Sequence, residues 1–128
     1  MVDARIAGPV RIVGAGLLGT SIGLVLRRHG VDVSLVDSSP TAVALASQYG
    51  AGHPAVEGET PQLIVVAVPP DVVADVVARE LLTFPDAIVT DVTSVKGSIL
   101  MDLQSRGIDL SHYVGSHPMA GRERGGAV

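Results

Sequence analysis

The chain has 128 residues, a length typical of a single domain that can bury a hydrophobic core. Hydrophobic residues make up 47% of the sequence and charged residues 17%, which favours a soluble globular domain over a disordered one. The formal net charge of −4 and the lack of a basic cluster longer than Arg27-Arg28 argue against nucleic acid and anionic membrane surfaces as partners.

Short β-branched segments alternate with helical patterns along the chain. This alternation predicts an α/β fold, a doubly wound, mostly parallel sheet with helices on both faces. The segment LIVVAV (63–68) shows no polar alternation, so we expect it near the middle of the sheet. The other predicted strands are VRIVG, VSLVD, AIVTDV and HYVGSHP, with at most a short edge strand near Ala55-Val56.

Four helices are predicted between the strands. The first, LLGTSIGLVLRRHG, carries an apolar stripe and ends at Gly30. That stripe consists of Leu18, Ile22, Val25 and Leu26. The second, SSPTAVALASQYG, has Ser39 as its expected N-cap and Gly50 past its end. The remaining two are expected to begin with the cap-type residues Asp71 and Ser94.

A glycine-rich loop follows the first predicted strand, with the spacing Gly14-x-Gly16-x-x-Gly19. Gly14 permits a tight turn, Gly16 lets the backbone approach a pyrophosphate, and Gly19 lets the helix pack closely on the strand. The pyrophosphate would meet the N–H groups of the first helical turn, at Leu17 and Leu18. The loop therefore predicts a Rossmann-type dinucleotide site, the alternative being a purely structural turn.

Asp37 ends the second predicted strand, 18 residues after Gly19. A carboxylate at this position can accept hydrogen bonds from the ribose hydroxyls of an adenosine. It would repel a 2′-phosphate, and the residues that follow it, Ser38 to Pro40, include no arginine that could compensate. We therefore expect NAD rather than NADP as the cofactor, the alternative being a surface carboxylate with structural partners.

The ends of the later strands are expected to face the same crevice, because ligands of open α/β sheets bind beyond the carboxyl ends of the strands. The proline pair after LIVVAV would form a rigid wall of the cofactor site, although a simple strand stop explains it equally well. The residues predicted to line the cofactor site here are Val68, Pro69, Pro70 and Asp91.

His117 is the candidate catalytic base. A histidine near a chain end is commonly idle, but this one follows a predicted strand and precedes Pro118, so it would point into the crevice. An imidazole there can accept a hydroxyl proton. His29, His53 and His112 have no comparable setting, and their spacing predicts no metal site.

Ser94 and Lys96 lie in the segment TDVTSVKG, after the strand AIVTDV. Ser94 fits a helix cap, and its hydroxyl can still face the crevice. Lys96 opposes the helix dipole in the first turn, so a ligand or a carboxylate is expected to offset its charge.

Four motifs together resemble the amino-terminal, nucleotide-binding domain of prephenate dehydrogenases: IVGAGLLGTSIG, LIVVAVPP, TDVTSVKG and GSHPMAGRERGG. The resemblance runs from Val10 to the end of the chain. It implies NAD-dependent oxidative decarboxylation of prephenate, or the related oxidation of arogenate, in tyrosine biosynthesis. It further implies that His117 hydrogen-bonds the substrate hydroxyl, that Ser94 orients the substrate, and that Lys96 and Glu123 lie near the substrate pocket.

The resemblance also implies a domain organisation. Residues 1–128 would be an NAD-binding domain truncated before a helical domain, which in this family forms the dimer and supplies an arginine that clamps the substrate carboxylate. The full-length protein is then expected to be a homodimer. Two other functions stay open: a reductase acting on imines or β-hydroxy acids, and a dinucleotide-binding module without catalysis.

The expectation for the cellular location rests on three features that this sequence does not contain. It has no cysteine, no apolar run of membrane-spanning length and no leader-like apolar core near its start. A cytoplasmic protein is therefore the default expectation.

Overall fold

The computed structural model describes residues 8–93 and 96–115. Within them, six strands form one sheet in the order β3-β2-β1-β4-β5-β6, and every pairing is parallel. The strands are β1 (Val10–Val13), β2 (Val33–Val36), β3 (His53–Pro54), β4 (Leu63–Val66), β5 (Ile88–Asp91) and β6 (Tyr113–Gly115). The strand order reverses between β1 and β4, which confirms the predicted doubly wound α/β fold.

The segment predicted for the middle of the sheet lies there. β4 pairs with both β1 and β5, so that Val66 lies opposite Val13 on one side and Asp91 on the other. Ile64 and Val66 point to one face with no exposed surface, and Val65 points to the other and is 6% exposed, because helices cover both faces of the sheet.

Four helices connect the strands: α1 (Leu17–Arg28), α2 (Pro40–Gln48), α3 (Val73–Thr83) and α4 (Lys96–Ser105). The predicted start of α2 is confirmed, because the Ser39 hydroxyl accepts a hydrogen bond from the Ala42 N–H at 3.2 Å. Its predicted end is confirmed as well, since Gly50 follows with a φ of +91°. No helix of the described residues is long and apolar enough to cross a membrane.

The predicted apolar stripe of α1 is partly wrong. Leu18 and Val25 are 52% and 48% exposed, whereas Gly19 and Gly23 are buried. At these two positions the helix lies too close to the Gly14 and Ala51 carbonyl oxygens for a side chain, so glycines rather than larger side chains form the centre of the contact. Ile22 and Leu26 pack beside them, as predicted.

Two expected boundaries also differ from the structure. Asp71 does not cap α3, since it lies in a 3₁₀ turn, Pro70–Val72, and the N-cap residue is Val72. The two consecutive prolines favour this tight turn before the helix. The edge strand is His53–Pro54 rather than Ala55-Val56, because the residues that pair with Ser34 and Leu35 of β2 are His53 and Pro54.

Apolar side chains fill both sides of the sheet. On one side, Ile12, Val33 and Leu35 pack under α1 and α2. On the other, Val77 and Leu103 of α3 and α4 pack against β4 and β5. The two layers together hold β1, β2 and β4 rigidly, so their carboxyl ends form a firm base for a ligand site.

Candidate functional site

A cleft of about 980 Å³ opens where the strand order reverses. The glycine loop and the end of β2 form one wall, and the end of β4 with α3 forms the other. This is the position at which doubly wound folds bind their ligands. The lining residues are Arg11, Val13, Gly14, Gly16, Val36, Asp37, Ser38, Ala67, Val68, Pro69, Val72, Asp75, Val76 and Arg79.

Two glycines of the loop are required by the fold itself. Gly14 has a φ of +113°, and a Cβ there would overlap the Ala67 carbonyl oxygen. A Cβ on Gly19 would overlap the Gly14 carbonyl oxygen, since α1 crosses directly over the turn. Both residues are therefore explained without any ligand.

Gly16 has no such requirement. Its φ of −79° and ψ of −159° are open to any L residue. Apart from its chain neighbours, no heavy atom of the described residues lies within 4 Å of the position that a Cβ would take. Gly16 is exposed and lines the cleft, so a glycine here fits the close approach of an outside group.

The amino end of α1 borders the same part of the cleft. Gly16 is its N-cap residue and supplies no side-chain cap, and the first turn contains no acidic residue. The first intrahelical hydrogen bond runs from the Thr20 N–H to the Gly16 carbonyl at 2.9 Å. The preceding N–H groups, including those of Leu17 and Leu18, therefore remain to bind an anion together with the helix dipole. Leu17 itself is 88% exposed.

Asp37 directly follows β2, and its carboxylate links the glycine loop to the start of α2. Its Oδ2 accepts a hydrogen bond from the Ala15 N–H at 2.7 Å, and its Oδ1 accepts one from the Ser39 N–H at 2.8 Å. The carboxylate thus has structural partners, yet it lines the cleft and is only half-buried. Each oxygen retains a second lone pair that can accept a hydroxyl proton.

The predicted wall after β4 is present in part. Val68 and Pro69 line the cleft, whereas Pro70 begins the 3₁₀ turn that leads into α3. Val72, at the end of that turn, also faces the cleft. The apolar surface of this wall suits a flat ring better than a charged group.

Asp91 occupies the carboxyl end of β5 and has no exposed surface. Its carboxylate accepts hydrogen bonds from the Tyr113 hydroxyl and from the Thr93 N–H, the latter at 3.2 Å. Burial, together with the bond to Asp91, raises the pKa of the Tyr113 phenol. Asp91 therefore joins the ends of β5 and β6, and its contact with a cofactor stays a prediction.

Of the four predicted catalytic and substrate-pocket residues, only Lys96 belongs to the described part of the chain. Ser94, His117 and Glu123 fall outside the described residues. β5 ends three residues before Ser94, and β6 ends two residues before His117. Lys96 is the first residue of α4.

Comparison with known proteins identifies the family. Residues 22–128 match the family described as the prephenate dehydrogenase nucleotide-binding domain. The chain belongs to the prephenate dehydrogenase family. A probable prephenate dehydrogenase from Streptomyces niveus, NovF, is 45% identical over 117 residues, which cover 91% of this chain. The chain spans only 32% of the length of that relative.

Solved structures of prephenate dehydrogenase relatives share the fold. The Aquifex aeolicus prephenate dehydrogenase in complex with hydroxyphenyl propionate and NAD⁺ has a TM-score of 0.74 at 28% identity, covering 89% of this chain and 42% of its own. The Synechocystis arogenate dehydrogenase has a TM-score of 0.74 at 27% identity, covering 86% and 40%. The family description names a nucleotide-binding domain, and the Aquifex aeolicus structure contains NAD⁺.

A largely buried charge cluster that the sequence analysis missed borders the cleft of this prephenate dehydrogenase domain, because its central residue, Arg11, lines the cleft. Arg11 of β1 donates two hydrogen bonds to Glu80 of α3, at 2.7 and 3.3 Å, and a third to Glu59 at 2.7 Å. Its guanidinium also lies 4.9 Å from the centre of the Phe84 ring. The Glu80 side chain is 1% exposed and that of Arg11 is 14% exposed.

The cluster ties the strand that carries the glycine loop to the helix that forms the opposite wall. Burial alone would lower the pKa of the Arg11 guanidinium, but its hydrogen bonds to Glu80 and Glu59 outweigh that effect and raise the pKa. The sequence held a signal for this pair. Arg11 interrupts an apolar strand, and Glu80 stands at an apolar-face position of α3, three and four residues after Val77 and Val76.

Proposed function

We propose that residues 1–128 are the NAD-binding domain of a cytoplasmic enzyme that oxidatively decarboxylates prephenate to 4-hydroxyphenylpyruvate in tyrosine biosynthesis. The observation that carries the cofactor assignment is Gly16, a glycine that no contact within the described chain requires. The prephenate assignment rests on the family and on the two relatives named as prephenate dehydrogenases.

The residues of the cleft fit the parts of a dinucleotide. The N–H groups after Gly16 would hold the pyrophosphate, and Asp37 would accept hydrogen bonds from the ribose hydroxyls. Val68 and Pro69 would exclude water from one side of the site. When bound, NAD supplies the acceptor for the hydride that leaves the ring carbon bearing the substrate hydroxyl.

The chemical steps of the reaction are assigned to residues that follow β5 and β6 in the chain. His117 would take the proton of the substrate hydroxyl, Ser94 would orient that hydroxyl, and loss of carbon dioxide makes the ring aromatic. Lys96 and Glu123 would lie at the substrate pocket. The chain spans 32% of the length of its relative NovF. We therefore assign the group that clamps the substrate carboxylate, and the contacts between the subunits of the homodimer, to a part of the enzyme other than these 128 residues.

Replacement of Asp37 by serine is expected to change the cofactor preference. The ratio of the dissociation constants of NADP and NAD should fall about tenfold or more, because the charge that repels a 2′-phosphate is removed. Affinity for NAD should also fall, since the Ala15 N–H loses its acceptor. Calorimetric titration of both cofactors measures the ratio.

The matched control is Asp32→Ser, which removes an exposed carboxylate that pairs with His53 and does not line the cleft. Its cofactor ratio should equal that of the unchanged chain. A ratio that stays constant in Asp37→Ser would remove the basis for choosing NAD over NADP.

Replacement of His117 by asparagine tests the catalytic assignment. In a protein that includes the substrate-binding part, we expect prephenate-dependent NADH formation to fall by about 10²- to 10⁴-fold, the usual contribution of a positioned base. NAD affinity should stay unchanged, because His117 is assigned to the substrate rather than to the cofactor. The control is His29→Asn, at the exposed end of α1. Turnover that survives in His117→Asn would show that another group takes the proton.

A further inference from the structure

We propose that Asp75 and Arg79 of α3 read the edge of the adenine base and make the cofactor site selective for adenine over hypoxanthine. The proposal rests on the NAD site proposed above and adds its base specificity. Both residues line the cleft. Neither belongs to the glycine loop or to the end of a strand, the features by which the sequence predicts a cofactor site.

The position of the base follows from the other two contacts. With the pyrophosphate at Gly16 and the ribose at Asp37, the base lies in the remaining part of the cleft, between the end of β2 and α3. There Val72 and Val76, four residues apart at the start of α3, offer an apolar surface for the face of the ring. The polar groups of α3 that border this surface are Asp75 and Arg79.

The two side chains match the hydrogen-bonding edge of adenine. Residues four apart on a helix have Cβ atoms about 5–6 Å from each other on the same side. A carboxylate only accepts hydrogen bonds, and a guanidinium only donates them. Adenine presents a donor, its N6 amino group, beside an acceptor, N1. Asp75 therefore pairs with N6 and Arg79 with N1.

Both side chains take part in ion pairs with neighbouring residues that leave some of their polar atoms for a ligand. Arg106, the residue directly after α4, donates from Nη2 to Asp75 Oδ1 at 2.7 Å and from Nε to Asp102 Oδ1 at 2.7 Å. The Asp75 carboxylate therefore keeps Oδ2 for the base. Arg79 contacts Glu80 Oε2 through Nε at 3.4 Å, a contact that does not involve its terminal amino groups. The acceptor and the donor thus both keep atoms that can bind the edge of the base.

Hypoxanthine reverses the pattern. In the same pose its O6 acceptor would face the Asp75 carboxylate and its N1–H donor would face the Arg79 guanidinium. Both pairs repel, so nicotinamide hypoxanthine dinucleotide should bind about tenfold more weakly than NAD, the lower end of the range for a mismatched bidentate base contact.

The test is a calorimetric titration of this chain with NAD and with nicotinamide hypoxanthine dinucleotide. The ratio of the two dissociation constants should be about ten in the unchanged chain and fall below about three in Asp75→Asn, because an amide can donate to O6 as well as accept from N6. The Asp75 side chain is 68% exposed, so the variant should fold. Asp71→Asn, which changes an exposed carboxylate outside the cleft, is the control and should keep the full ratio.

The outcomes separate the two proposals. Equal affinity for both dinucleotides in the unchanged chain, or an unaltered ratio in Asp75→Asn, would overturn base reading by α3 while leaving the NAD site standing. Failure of either dinucleotide to bind would overturn the NAD site and the base reading together.

Discussion

Replacement of Gly16 by alanine is expected to weaken NAD binding by about tenfold to a hundredfold, the usual cost of one methyl group in a filled contact. The protein alone has room for that methyl group, and the backbone angles of Gly16 suit alanine. The free energy of unfolding should therefore change by less than about 1 kcal/mol, the size of an N-cap effect. Calorimetry with NAD, beside urea denaturation, measures the two quantities.

The matched variant is Gly19→Ala, in the same loop. Its methyl group would overlap the Gly14 carbonyl oxygen, so we expect a loss of more than about 3 kcal/mol of stability, as for other severe core clashes. The pair thus separates a glycine needed by the ligand from a glycine needed by the fold. If Gly16→Ala bound NAD as well as the unchanged chain, the pyrophosphate would have to lie elsewhere.

Replacement of Glu80 by leucine is expected to lower the free energy of unfolding by about 3–5 kcal/mol, the usual cost of leaving one member of a buried ion pair uncompensated. Arg11 would keep Glu59 as a partner, so the lower half of that range is expected. Because Arg11 and Glu80 join β1 to α3, the variant should also bind NAD more weakly, by loosening the two walls of the cleft. Urea denaturation measures the main effect.

The control is the double variant Arg11→Met with Glu80→Leu. Apolar replacement of both partners of a buried pair is often neutral, so the double variant should be more stable than Glu80→Leu alone. Asp102→Asn, which affects an exposed ion pair with Arg106, should leave the free energy of unfolding almost unchanged. A Glu80→Leu variant with the same free energy of unfolding as the unchanged chain would contradict a stabilising role for the ion pair between Arg11 and Glu80.

The sheet was predictable because its signals are local. Runs of β-branched residues, the glycine spacing and the cap at Ser39 each depend on only a few neighbouring residues, and all three were found where the sequence predicts them. The position of the cleft was predictable for the same reason, since the ends of parallel strands meet at one edge.

The predictions from the sequence were wrong where tertiary packing determines which residues are buried or paired. Hydrophobic periodicity assigns Leu18 and Val25 to the buried face of α1, but it gives no weight to glycines, and the close contact at Gly19 and Gly23 turns the larger side chains outward. The shift of the edge strand to His53–Pro54 follows from its register against Ser34 and Leu35 of β2, a pairing between distant parts of the chain that no local pattern reveals.

The parts of the site that the sequence did not reveal depend on residues distant in the chain. Arg11 and Glu80 are 69 positions apart, and Asp37 contacts Ala15 across 22 positions. The lining of the cleft by Asp75 and Arg79 follows from how α3 packs beside β4, which is a tertiary feature.

Titration of NAD into the purified 128-residue chain is the most direct test of the dinucleotide site. Calorimetry suits it, since the chain has no tryptophan whose fluorescence could report binding. We expect saturable binding of one NAD per chain, with NADP binding more weakly because of Asp37. Absence of saturable binding by NAD, in a chain that unfolds cooperatively, would contradict the assignment of the cleft as a cofactor site.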